Sequence, residues 1–224
     1  MVLFISSCTK VVNNGNVSPS SKAYVLYYDM SSGLPNSVVT IASDNSNYLS
    51  NPPDTVYHAI TSGTANLYIE SFNTGTIINS NTINLTGSSY YTALIYHQAT
   101  GIPGISAITD DLSSPAAGYC KMRILYTLGS NTLINSPTKI SIVNEQTQDS
   151  IVNYNRTDLD FFRIQPLINF TSIKAGTFSL YVNNSIITSG LPFNSYGKIF
   201  TVIVTQVPNL NGIPGFVVNY FANK

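Results

Sequence analysis

The sequence predicts an all-β protein built as two tandem antiparallel β-sandwich domains, on three observations. The chain repeats itself. Gly63-Thr64-Ala65-Asn66-Leu67-Tyr68-Ile69 returns as Gly176-Thr177-Phe178-Ser179-Leu180-Tyr181-Val182, and Gly101-Ile102-Pro103-Gly104 returns letter for letter as Gly212-Ile213-Pro214-Gly215, both about 112 residues later. A period that long describes paired domains rather than a solenoid. Short β-branched and aromatic runs alternate with Gly, Pro and Asn clusters at about 8–12-residue intervals, the rhythm of sandwiches and barrels. No segment keeps a 3.6-residue apolar period for three turns, so almost no helix is expected.

Residues 1–21 stand apart from the fold. Met1-Val2-Leu3-Phe4-Ile5-Ser6-Ser7-Cys8 passes from apolar to small residues to a cysteine. Ile5-Ser6-Ser7-Cys8 resembles a bacterial lipobox, whose cysteine becomes the lipid-bearing first residue after cleavage. The basic n-region and full apolar h-region of a signal peptide are missing from this stretch, which predicts that the natural start lies upstream. Residues 9–21, rich in Asn, Ser and Gly, read as a flexible tether. Several acyl chains on Cys8 would give the stable membrane anchoring that one chain does not.

The first domain is expected over 22–110, with strands at 23–28, 38–41, 64–70, 76–85, 90–97 and 105–109. A short linker, Asp111 to Gly118, is stiffened by Pro115. The second domain, 119–224, repeats the order at 121–126, 139–143, 177–182, 198–205 and 216–221. It carries about 12 extra residues between Asn144 and Phe170, a region holding Glu145, Asp149, Arg156, Asp158, Asp160 and Arg163, the densest charge in the chain. Gly63 and Gly176 each precede a strand and are expected to supply positive φ there.

Composition narrows the function. Apolar residues make up 43% of the 224, so a packed core is available, whereas charged residues are only 9% against a usual 25% or so. Asn, Ser and Thr, about a third of the chain, must supply the polar surface. Ten Lys+Arg balance ten Asp+Glu, leaving no basic stripe to attract nucleic acid. No apolar run approaches the roughly 20 residues of a membrane-spanning helix.

Reactive chemistry is sparse. Of two cysteines, Cys8 is assigned to lipid and Cys120 to the core, a Cys8–Cys120 disulfide being the competing reading that lipidation excludes; two cysteines are too few for thiolate zinc motifs. The two histidines, His58 and His97, lack metal-ligand spacing. The second copy contains no His, so it cannot share a histidine-based site. Asp110 and Asp111 adjoin the linker and are expected to cap its turn. Asp158 and Asp160 could contribute oxygens to a Ca²⁺ site or to a binding loop. No catalytic residue, metal site or cofactor is predicted.

The chain has 15 Tyr and no Trp. In the doublets Tyr27-Tyr28 and Tyr90-Tyr91 one ring must lie on each face of a strand. One of each pair is expected in the core and the other outside or at the domain junction. Tyr28 and Tyr91 are the candidate rings for stacking on a glycan, with neighbouring amides bonding its hydroxyls. Asp54-Thr55-Val56 and Asp149-Ser150-Ile151 resemble the Asp-Ser/Thr-apolar pattern of Bacteroidetes O-glycosylation, making Thr55 and Ser150 candidate acceptors in expected loops.

Thr109-Asp110-Asp111-Leu112-Ser113-Ser114-Pro115-Ala116-Ala117-Gly118, followed by a strand bearing Lys121 and Arg123, resembles the junction between tandem copies of the domain-of-unknown-function family numbered 4397. Ile173-Lys174-Ala175-Gly176-Thr177-Phe178-Ser179-Leu180-Tyr181-Val182 resembles a strand-opening element of the same family. The resemblance covers most of 22–224. The family's usual Ser-Pro-Asp-Ala-Pro-like turn after the first strand is replaced here by Asp29-Met30-Ser31-Ser32-Gly33-Leu34-Pro35 and by Leu128-Gly129-Ser130-Asn131. The resemblance implies immunoglobulin-like sandwiches on an envelope lipoprotein anchored in an outer membrane and facing periplasm or cell surface. It brings no catalytic residues. A non-enzymatic structural or interaction module is therefore expected, as a monomer with no nucleic-acid partner, contacting a glycan or an envelope protein. Glycan binding is the first alternative and an envelope hydrolase the second.

Overall fold

The computed structural model describes residues 21–29, 37–43, 46–50, 56–71, 73–97, 103–128, 139–153, 169–207 and 215–223. Among them are sixteen strands and no helix. The first copy contributes β1 (Lys22–Asp29), β2 (Ser37–Ser43), β3 (Ser46–Ser50), β4 (His58–Thr61), β5 (Gly63–Ser71), β6 (Ile77–Leu85), β7 (Tyr90–His97) and β8 (Pro103–Asp110). The second contributes β9 (Tyr119–Leu128), β10 (Ile140–Asn144), β11 (Ser150–Asn153), β12 (Thr171–Lys174), β13 (Gly176–Val182), β14 (Ser185–Phe193), β15 (Ile199–Val207) and β16 (Gly215–Ala222).

The strands form four sheets. β4-β1-β7-β8 faces β3-β2-β5-β6, and β12-β9-β15-β16 faces β11-β10-β13-β14. Strand for strand the second pair repeats the first, so the sequence duplication is a duplication of topology. Immunoglobulin sandwiches group their strands as ABED and CFG; lettered likewise, each copy here reads DAGH and CBEF. The sandwich architecture is shared and the wiring differs. Among the described residues every strand pair is antiparallel but two: β1 runs parallel to β7, and β9 parallel to β15.

Alternation builds two interiors. In β1, Ala23, Val25 and Tyr27 point into the first core, where they meet Leu67 and Ile69 of β5 and Tyr91, Ala93 and Ile95 of β7. In β9, Cys120, Met122 and Ile124 point into the second core, with Ile142, Phe178, Leu180, Phe193, Val202 and Val204. At about 25 cal/mol per Å² of buried apolar surface, these interiors are the main stabilising term. The opposite faces of β1, β7, β9 and β15 carry a second, smaller apolar cluster beside buried polar residues. Leu94, Tyr96 and Ile108 pack on Leu125 and Ile203, flanked by Tyr28 and Phe221. The two sandwiches thus meet back to back through equivalent sheets, which is why β15 is buried on both faces.

Local chemistry fixes the connections. Asn183 and Asn184, at φ 50° and 67°, close the β13–β14 hairpin in two residues, the left-handed pair that a type I′ turn demands. Gly63 does adopt φ 120°, as expected. Gly176 serves a different purpose from the one expected: a Cβ there would come 2.7 Å from the Gln146 amide oxygen and 2.8 Å from the Asn144 amide nitrogen.

Candidate functional site: the cleft between the sandwiches

The site begins with two neighbouring residues of opposite fate. Asp110 ends β8 and Asp111 opens the linker. Strand alternation turns Asp110 to the face that meets the second sandwich, and Arg123 of β9 turns to the same interface. The Arg123 Nη1 donates to Asp110 Oδ1 at 2.6 Å, and both side chains are fully buried. Burial pulls the Arg123 pKa down and the Asp110 charge opposes that pull, so the guanidinium keeps its charge.

The rest of the network satisfies this pair from both sandwiches. Arg123 Nη2 donates to Thr92 Oγ1 at 2.8 Å and Nε to Thr201 Oγ1 at 2.9 Å. Asp110 Oδ2 accepts from the Thr92 hydroxyl and from the Tyr57 phenol, each at 2.6 Å. Thr201 donates to Asn223 Oδ1 at 2.6 Å, and Asn223 Nδ2 donates to the Tyr57 oxygen at 3.0 Å. The Arg123 guanidinium carbon stands 4.4 Å from the Phe170 ring centroid. Burial, reinforced by the Asp110 charge, pushes the Tyr57 pKa above the ordinary phenol range.

The strand registers explain the pattern. Tyr24 pairs with Tyr90 and Tyr90 with Asp110; in the second copy Lys121 pairs with Ile199, whose carbonyl accepts from the Asn223 amide. Thr92–Asp110 and Thr201–Asn223 are therefore equivalent pairs. Tyr57 before β4 and Phe170 before β12 match in the same way. Arg123 breaks the symmetry: its counterpart in β1 is Leu26, so one cation serves both halves.

Two cavities flank the network. One, of about 330 Å³, is lined by Tyr57, Tyr90, Leu112, Ser113 and Asn223. The other, of about 230 Å³, is lined by Thr109, Asp110, Asp111, Asn169 and Phe170. Tyr90 stacks on Tyr24 at 4.9 Å and 18°, while Tyr57 stands edge-on to Tyr90 at 5.2 Å and 89°. The linker is tied down at the rim. Asp111 accepts from Lys121 Nζ at 2.7 Å and from the Ser113 amide at 2.9 Å. The Lys121 hydrogen bond is the largest of the influences that lower the Asp111 pKa to about 2.

Of the residues singled out in the sequence, Tyr91 lies in the first core with 8% exposure, and its hydroxyl accepts from the Thr86 amide. It is not a surface platform. The half-exposed ring of that doublet is Tyr90, because Tyr91 takes the inward phase of β7. Tyr28 is stacked on Phe221 at 4.9 Å and 19°, so its ring belongs to the seam between the sandwiches. Asp111 caps its turn as expected, but Asp110 does not: it is a buried ion-pair partner. Ser150 is exposed, yet it begins β11 rather than lying in a loop. Glu145 is held by the Ser179 hydroxyl at 2.7 Å and the Gly190 amide at 2.9 Å. His58 stands 5.9 Å from the Tyr27 ring. Cys8, Thr55, Asp158 and Asp160 lie outside the described residues. Sequence reading missed Tyr57, Arg123 and Asn223; the available signal was two ionic residues, Asp110 and Arg123, in strand phases that alternation assigns to an apolar face.

No protein-family model matches the chain, and no curated protein matches it. Among solved structures it is similar to the Bacillus anthracis TIE protein, at 9% identity and a TM-score of 0.22, over 90% of this chain and 43% of that one. A candidate adhesin from Bacteroides ovatus gives 10% identity and a TM-score of 0.24 over 90% of this chain and 95% of that one. A leucine-rich repeat protein from Bacteroides thetaiotaomicron gives 7% and 0.20, over 90% and 24%. Superpositions this loose carry no functional argument.

Proposed function

We propose that this protein is a non-enzymatic structural or interaction module of a cell envelope, held to the membrane through lipid on Cys8 and related to the tandem-domain lipoproteins its junction resembles. The observation that supports it is the fate of the polar groups in the cleft. Asp110, Arg123, Thr92, Thr201 and Asn223 already bond one another across the two sandwiches. A general base must be free to take a proton from substrate, whereas this carboxylate accepts three hydrogen bonds inside the fold. The network is spent on fixing one sandwich against the other, as a spacer or a presenting platform requires.

Assay of the chain against chromogenic ester, glycoside, peptide and phosphoester substrates tests the non-enzymatic reading. Rates at the uncatalysed level support it; turnover abolished by Asp110→Asn contradicts it. The anchor has its own test. Palmitate labelling in cells expressing the protein from its native gene should fall to background in Cys8→Ala; equal labelling rejects lipidation.

A carbohydrate ligand is the second reading, favoured by the 330 Å³ cavity that Tyr57 and Tyr90 line together with Ser113 and Asn223. A glycan array probed with the chain should then show signals that Tyr90→Ala removes. Absence of signal leaves the structural module alone.

A further inference from the structure

The two copies finish their outer edges differently. In the first sandwich β6 crosses the open edge of β8. Asn79 Nδ2 donates to the Pro103 carbonyl at 2.8 Å and Asn81 Nδ2 to the Ile105 carbonyl at 3.2 Å. These are carbonyls that β7 leaves unused, so the edge is sealed. By strand register the counterparts of Asn79 and Asn81 in β14 are Ser185 and Thr188. Among the described residues no side chain of β14 hydrogen-bonds to the backbone of β16; Phe193 of β14 only meets the Tyr220 ring edge-on at 5.0 Å. The Asn223 amide reaches back to Ile199, so odd-numbered residues of β16 face β15, and the backbone N–H and C=O groups of Phe216, Val218, Tyr220 and Ala222 point away from the sheet.

We propose that β16 is a dimerisation edge that pairs antiparallel with β16 of a second copy, joining two four-stranded sheets into one of eight strands. Natural edges are guarded by Lys, Pro, bulges or shortness. β16 is eight residues long, contains no charged residue or proline, and pairs with β15 without a register shift. It exposes Val217 and Tyr220, at 43% and 44%. A second copy is the partner that fits, because an antiparallel strand is its own complement under a twofold axis. With the axis at Val218, each Phe216 lies opposite Tyr220 of the second copy, and each Val217 opposite Asn219 of the second copy. The chain's formal charge of +0 leaves no long-range repulsion between copies. A single strand pair buries less than a standard stable interface, so the dimer is weak and concentration-dependent, in place of the monomer expected from sequence.

Sedimentation of the full chain over a concentration series tests this, with circular dichroism as the folding control. The wild type should rise from one chain mass towards two. V217K/N219K, which sets lysine opposite lysine at exposed positions, should stay monomeric with an unchanged spectrum. An equimolar mixture of V217K/N219K and V217E/N219E should recover the dimer. A wild type that stays monomeric at its solubility limit overturns the proposal. So does a lysine variant that dimerises as well as the wild type, or a mixture that does not recover.

Discussion

Arg123 is the residue on which the junction turns. Removing one partner of a buried ion pair leaves the other charge uncompensated and costs about 3–5 kcal/mol. Arg123→Ala should therefore lower stability in urea denaturation by that amount, and pairing Arg123→Met with Asp110→Leu should cost less than either change alone. Asp111, next in the chain, makes the contrast. Its pKa is lowered from 3.8 to about 2 chiefly by the Lys121 hydrogen bond. A depressed carboxylate stabilises the fold above its unfolded pKa and loses that contribution as pH falls through the folded one. The loss should appear between about pH 4 and 2, vanish in Asp111→Asn, and stay below about 1 kcal/mol because the side chain is 61% exposed and solvent screens such pairs. Cys120 is buried, and burial lifts its thiol pKa to about 11. In a Cys8→Ala chain at pH 8, a thiol reagent should label Cys120 only on unfolding. The tyrosine doublets show the limit of residue-level reading. Alternation dictated that one ring of Tyr90-Tyr91 goes inside, but the phase of β7 was needed to say which.

At the scale of elements, the long apolar strands were legible because burial on both faces leaves dense β-branched runs, as in β15. Five strands were not. β3 is polar and β4, β11 and β12 have four residues each, too short to display a period. β14 hides behind Gly190 and Pro192, which read as turn residues although this edge strand tolerates both. The parallel pairing of β1 with β7 has no local signature at all, since it depends on sequence-distant partners. The β13–β14 hairpin gives the element-level prediction. Asn184→Val should destabilise the fold by about 1–2 kcal/mol, because a β-branched residue resists the left-handed region. Asn184→Gly should be tolerated. Thermal melts of the two variants compare the effects directly.

Across the whole molecule, the duplication in the sequence was a faithful guide to topology, since each copy reproduces the other's strand order. The relation between the copies was hidden. The seam is made by the outward phases of β1, β7, β9 and β15, where Leu94, Ile108, Leu125 and Ile203 look like ordinary strand residues until the partner sheet is known. Packed back to back over an apolar cluster and locked by Arg123, the two sandwiches should unfold together. Scanning calorimetry of the full chain measures this coupling. One transition with equal calorimetric and van't Hoff enthalpies is expected, resolved into two by Ile203→Asp. Two independent transitions in the wild type, unchanged by Ile203→Asp, would contradict the coupling.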